Sequence, residues 1–424
     1  MVLTLIAFVF IMLFLGIPIY IGLIFSTILC LLLFTDISPM IAIQRAFGGI
    51  DKFVLMSLPF YILTASAMDV GGLSRRILRL ARMLVGHFAG GHAMTVQVAS
   101  MFFGALSGSS PATVAAIGKI MYPELLRLKY PRGFASGLII QSGAVSLLIP
   151  PSVTLIMYAS ATDTSVGALF MGGLCVGVVF GLAMLAYVYF QSRRSGFPKE
   201  ERNWRELWSA VKESSWALGV PLVIILGIGL GIFTPTEAAG VSTVYALFVG
   251  MFIYKEIDLK KLYQLLIVSA KTSAQVMILI AAASSFGWIL TVGQGPQMLA
   301  QFLNENFHSS WLFLLFLNIA LLILGMFLEA SIALIVIGPL ILPSAVALGI
   351  DPVHLGIVMC FNLAIGTFTP PFGLNIFVGQ SVTGLSIREM APGLMEFIAV
   401  SILVLFAVTY MPFISTFLPN LIYS

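Results

Sequence analysis

Gly104-Ala105-Leu106-Ser107-Gly108-Ser109-Ser110-Pro111-Ala112-Thr113 and, further on, Gln141-Ser142-Gly143-Ala144-Val145-Ser146-Leu147-Leu148-Ile149-Pro150-Pro151 bound the stretch that decides the fold. Both runs put glycine, serine and proline inside apolar sequence. Lipid cannot satisfy the backbone groups that a broken helix exposes, so such breaks persist where they are buried in protein or line a site. The stretch also recurs. At an offset of 220 residues, Ile117, Gly118, Pro123, Pro150, Pro151, Ile156, Gly173 and Leu174 fall on Ile337, Gly338, Pro343, Pro370, Pro371, Ile376, Gly393 and Leu394 with no gap. Backbone geometry dictates where glycine and proline stand. Their match at one offset reads as two copies of one structural unit.

Composition sets the class. The chain has 424 residues, 60% hydrophobic and 9% charged. Spanning helices need ~20 apolar residues, so this is an all-α polytopic membrane protein with no soluble domain. The net charge of +4 comes from short loops between apolar runs and does not indicate nucleic acid. Cys30, Cys175 and Cys360 lie far apart in apolar segments and read as small buried hydrophobes. His87 and His92 are five residues apart, off the spacing of a paired metal site. Residues 2–34 carry no charge and follow no basic segment, which argues against a signal peptide and for one long retained helix, bent near Gly16-Ile17-Pro18.

Lysine and arginine mark cytoplasmic loops. With the N-terminus inside, 2–34 crosses outward and 53–70 returns to Arg75, Arg76, Arg79 and Arg82. Arg45 and Lys52, in the outer loop, go against this rule. The arms 93–106 and 112–126 are ~21–23 Å long, short of a ~30 Å hydrocarbon core. Basic residues flank both, so 93–126 reads as a re-entrant hairpin from the cytoplasm, with two short spanning helices as the alternative. Helix 134–161, broken at 142–151, crosses outward and 167–190 returns. The basic linker 193–212 follows, with Trp204 and Trp208 suited to an interfacial surface helix.

The second half then runs 216–234, 237–254 and 273–292. Hairpin two has arms 312–328 and 332–348, with Glu305, His308 and Asp351 at its flanks and no lysine or arginine, so it enters from outside. Helix 353–380, broken at Gly366-Thr367-Phe368-Thr369-Pro370-Pro371, crosses inward, and 394–418 exits to an outer C-terminus. The two repeats are thus 1–212 and 213–424, of inverted topology. Each carries a re-entrant helical hairpin and a broken transmembrane helix.

Inverted repeats with broken helices are the signature of a secondary transporter, with its site at the midplane. Unwound carbonyls and hydroxyls suit a hard cation, and half-helix N-termini suit an anion. The tip of hairpin one has no carboxylate or histidine to titrate, so sodium fits better there than a proton. Ser107, Ser109, Ser110, Gly143, Ser146, Gly366, Thr367 and Thr369 are the candidate site residues. Small residues easing helix packing are the plain alternative. Glu329, with Ser331 beside it, is either functional or a cap of the second arm. Asn362 and Asn375 read as satisfying freed backbone, and Glu237 as an N-terminal cap.

At these residues the chain resembles the large transmembrane subunit of TRAP transporters, the tripartite ATP-independent periplasmic carriers. The first hairpin, Gly231-Ile232-Phe233-Thr234-Pro235-Thr236-Glu237-Ala238-Ala239, and Thr369-Pro370-Pro371-Phe372-Gly373 are similar to family motifs. Glu329-Ala330-Ser331 departs from the aspartate followed by proline expected at the second tip. The resemblance implies an elevator-type transporter in a bacterial or archaeal inner membrane. It implies sodium as coupling ion, no other cofactor, and an organic acid substrate such as a sialic acid or a C4-dicarboxylate. It implies two partners, a small transmembrane subunit and a periplasmic substrate-binding protein. By matching motifs, sodium sits near Ser107, Ser109 and Gly143 and near Gly366 and Thr369, and the substrate carboxylate meets Ser109, Ser110 and the breaks at Pro150 and Pro370. The rival readings are a sodium/dicarboxylate symporter without a binding protein, a channel, and an intramembrane serine hydrolase using Ser107 or Ser109. The last lacks the Gly-x-Ser-x-Gly spacing and a nearby histidine base.

Overall fold

The computed structural model describes residues 1–197, 199–298, 301 and 309–423, and no strand occurs among them. Eight helices among the described residues are long and apolar enough to cross a membrane. The first half comprises α1 (Val2–Phe14), α2 (Ile19–Phe34), α3 (Met40–Ile50), α4 (Ser57–Val70), α5 (Leu73–Val85), α6 (Gly91–Ser107), α7 (Ser110–Arg127), α8 (Arg132–Ser142), α9 (Val153–Thr162) and α10 (Val166–Ser195). The second comprises α11 (Trp204–Gly229), α12 (Pro235–Phe248), α13 (Leu259–Val292), α14 (Ser310–Phe327), α15 (Ala330–Ala347), α16 (Pro352–Gly366), α17 (Leu374–Thr383), α18 (Ile387–Tyr410) and α19 (Phe413–Tyr423). Glu305 and His308 lie outside the described residues.

The 220-residue offset reappears in the helix bounds. α6 and α14 end at 107 and 327, α7 and α15 span 110–127 and 330–347, and α8 and α16 begin at 132 and 352. The same side chains that start a helix in polar sequence do so here. Ser152 caps α9, Asp351 caps α16, and Thr234 with Glu237 forms a reciprocal capping box on α12. Each satisfies N–H groups that the first turn leaves without an internal partner.

Three expectations are corrected. Residues 2–34 form two helices that pack on each other, because Gly16 takes φ +73° and Pro18 cannot continue the ladder. The inside placement of Met1 depends on a single crossing and does not follow. Trp204 and Trp208 open the continuous α11, capped by Asn203, rather than forming a separate surface helix. Residues 394–418 are divided at Met411-Pro412 into α18 and α19.

Packing sorts the helices into two groups that each draw on both halves. In one, α13 packs on α2, α3 and α4, and α12 on α4 and α11. In the other, α8 packs on α18, α7 on α17, α9 on α15, and α14 on α16. The groups meet where α4 and α5 touch α6, and where α13 touches α15. Buried amides fasten each hairpin to the broken helix of its own half. Gln141 donates to Gln97 at 3.3 Å in the first, and Asn362 to Asn318 at 2.7 Å in the second.

Candidate functional site

The first tip is built by a left-handed residue. α6 ends at Ser107, Gly108 takes φ +57°, and α7 starts at Ser110 with Pro111 in the first turn, where its missing N–H costs nothing. A Cβ on Gly108 would lie 2.6 Å from the Pro151 carbonyl oxygen, so the tip rests directly on the first break. At the second tip, Glu329 caps α15. Its Oε1 accepts from the Ser331 amide at 3.3 Å and from Ser331 Oγ at 2.7 Å. The cap reading is therefore met, and Glu329 also lines a cavity.

The breaks are also hydrogen-bonded internally. A 3-10 turn runs over Gly143–Leu147. Gly143 admits the Ser110 carbonyl, which a Cβ would meet at 2.6 Å. Ser146 Oγ lies 2.7 Å from Thr113 Oγ1, which is 3.1 Å from Ser107 Oγ and donates to the Ser109 carbonyl at 2.9 Å. Four oxygens therefore cluster behind the first tip without a carboxylate. In the second break, Thr367 and Thr369 donate to the Ala364 and Ile365 carbonyls, both at 2.7 Å. Asn375 joins the two halves by donating to Ser110 Oγ at 2.7 Å and to the Ile140 carbonyl at 3.2 Å. The latter bond satisfies freed backbone, as expected of this residue.

These parts surround one cavity of about 500 Å³. Ser107, Ser109, Ser110, Glu329, Ser331 and Thr367 line it. Gly143 and Ser146 stand behind the first tip, and Gly366, Thr369, Pro150 and Pro370 are not in the lining. The Pro150-Pro151 and Pro370-Pro371 bonds are both cis. The first residues of four helices reach the cavity: Ser110 of α7, Val153 of α9, Ala330 of α15 and Leu374 of α17. Each helix start carries free N–H groups and about half a positive charge. Among the described residues no lysine, arginine or histidine lines the cavity. Ser107 Oγ is engaged by Thr113 and the Ser109 backbone, and no histidine among the described residues lines the cavity to activate it as a nucleophile.

The far wall comes from the other helix group: Ile62, Ser66 and Asp69 of α4, and Thr272, Gln275 and Leu279 of α13. Sequence reading passed over these because they lie in unbroken spans. The available signal is the spacing of Ser66 and Asp69, and of Thr272 and Gln275, each pair three apart on one face of an apolar helix. Thr113 was also missed, although it is one turn beyond Ser109. Among the described residues no group of three His, Cys, Asp or Glu side chains could hold a metal ion. Glu237 does cap its helix, and the cysteines are free, with Cys30 and Cys360 buried.

Residues 6–414 match the family model described as the tripartite ATP-independent periplasmic transporter, DctM component. The chain is 40% identical over 396 residues to the C4-dicarboxylate TRAP transporter large permease protein DctM of Pseudomonas aeruginosa, covering 93% of each chain. It is 36% identical over 413 residues to the sialic acid TRAP transporter large permease protein SiaM of Vibrio cholerae, covering 97% of this chain and 96% of that one. The solved YdaH transporter of Alcanivorax borkumensis shares the fold, with a TM-score of 0.58, 14% identity and 87% of each chain covered.

Proposed function

The chain belongs to the tripartite ATP-independent periplasmic transporter family as its DctM component, the large permease, and on that premise we propose that it moves a carboxylate-bearing organic acid inward, coupled to sodium. It is a transporter subunit in a multi-pass membrane setting, not an enzyme. Its partners in this reading are a small transmembrane subunit and a periplasmic binding protein that delivers the acid, in a bacterial or archaeal inner membrane with the arginine-rich α5 inside and the C-terminus outside.

One observation carries the reading: four helix N-termini converge on a cavity that has no cationic side chain among the described residues. Such ends bind carboxylate through N–H groups and oriented dipoles. Ser109 and Ser110 would take the substrate carboxylate. The oxygens of Ser107, Ser109, Thr113 and Ser146, beside Gly143, would take one sodium. Gly366, Thr367 and Thr369 carbonyls and hydroxyls would take another. Sodium held there adds the positive charge that the cavity lacks, so acid and ion favour each other's binding.

The two helix groups support an elevator movement of one against the other. The hairpins and broken helices, related by an inverted repeat, would travel as one body against the group of α2, α3, α4, α12 and α13. The cavity is lined by the half of α4 that ends at Asp69, next to α5; with α5 inside, this supports reading the arrangement as inward-facing. Uptake of radiolabelled succinate and N-acetylneuraminate into proteoliposomes, with the partner proteins of the same transporter, tests this. Uptake of one acid that needs both an inward sodium gradient and the binding protein is expected. Equal uptake in potassium would refute sodium coupling, and uptake without the binding protein would favour the simple symporter.

A further inference from the structure

Arg45 and Lys52 are the only cations before Arg75, and they stand on the side expected to lack them. The 18-residue span Phe53–Val70 separates them from the arginines of α5. Both line a second cavity, of about 590 Å³, between α3 and α13 on one side and α9 and α15 on the other. Lys52 is already satisfied. Its Nζ donates to the Ser160 carbonyl at 2.5 Å and to Asp163 Oδ1 at 3.0 Å. Arg45 has no carboxylate partner among the described residues, and its guanidinium lies 5.2 Å from the centroid of Trp288. Gln44, Ser284 and Thr291 add to a polar lining that has no acid among the described residues. A guanidinium held against an aromatic face, with its fork open, is suited to bidentate capture of a carboxylate.

The position of this cavity matters as much as its charge. α13 and α15 line both cavities in succession: Leu279 and Ser331 at the central one, Ala283 and Ile335 at this one. Met157 borders both. We propose that the Arg45 cavity is a second anion site, which holds the carboxylate of an organic acid on the outer side of the α13–α15 seam before it reaches the central cavity. The order of the two sites rests on the transport reading above; the binding itself does not.

Trp288 supplies the readout. In the full chain, Trp204, Trp208, Trp216 and Trp311 are replaced by phenylalanine, so that Trp288 alone emits. Succinate is titrated at constant ionic strength in a phosphate-free maltoside detergent, with phosphatidylglycerol as a separate arm. A saturable change with succinate is expected, with Arg45→Gln raising the half-saturating concentration at least about ten-fold, Arg45→Lys recovering part of it, and Ser110→Ala keeping it. No saturable change, or an unaltered titration in Arg45→Gln, would overturn the proposal. A response to phosphatidylglycerol alone would overturn it too and assign the site to a lipid headgroup. Normal sodium-driven uptake with a silent Trp288 would remove the second site and leave the transport reading standing.

Discussion

Glu329 shows how one residue can answer two questions. Its carboxylate caps α15 through Ser331 and also lines the central cavity. Glutamine keeps an oxygen for the cap and removes the charge. Glu329→Gln is therefore expected to leave stability within about 0.5 kcal/mol, while raising the sodium concentration needed for half-maximal uptake. Thermal unfolding and a sodium titration of uptake measure the two effects. An unchanged sodium titration would reduce Glu329 to a cap. At this scale the sequence was informative where a polar residue interrupts apolar helix, as at Ser107, Ser110 and Thr367. It was silent where polar residues sit within an intact span, as at Asp69 and Gln275, because periodicity alone does not say which helix faces them.

At the scale of elements, the hairpins and breaks meet through backbone. A Cβ on Gly366 would lie 2.5 Å from the Gly325 Cα and carbonyl carbon, which cannot step aside as a side chain can. Gly366→Ala should cost about 1–3 kcal/mol and depress uptake. Gly240→Ala, in α12 with nothing within 4 Å of the new methyl, should be neutral or stabilising by up to about 1 kcal/mol. Equal thermal stability of the two variants would contradict this packing. Outside the membrane, Glu256 ties the loop before α13 to α5. Burial alone would raise its carboxyl, but the Arg76 hydrogen bond at 2.8 Å and the charges of Arg76 and Arg75 hold it below the ordinary range. A depressed folded value contributes stability above the unfolded value, which is lost as pH falls through the folded one. Wild type should thus lose thermal stability more steeply than Glu256→Gln as pH falls from about 5 to 3; parallel curves would argue against the pairing.

The hairpins and both breaks were legible because glycine and proline must stand where backbone geometry requires them. Junctions that rest on one or two residues were legible only in part. A bend near Gly16-Ile17-Pro18 was expected, but not two separate packed helices, and Pro412 lies inside an apolar run where hydropathy is blind to direction. Chain order was equally uninformative about which helices pack together, since each helix group takes members from both halves.

At the scale of the whole molecule, the halves interleave: α8 against α18, α7 against α17, α9 against α15. The helix group that holds both hairpins and both broken helices places oxygens of one half beside amides of the other, as Asn375 and Ser110 show. An ion bound among those oxygens would hold the group together and stabilise the entire fold. The most direct measurement is thermal stability of the purified chain in sodium against potassium at equal ionic strength, for wild type and for Ser107→Ala/Thr113→Val. A ligand that binds only the folded state stabilises it by about 1.4 kcal/mol at ten times its Kd. A sodium-specific rise that the double variant diminishes is the predicted result; identical stability of wild type in the two salts would contradict sodium binding at the first tip.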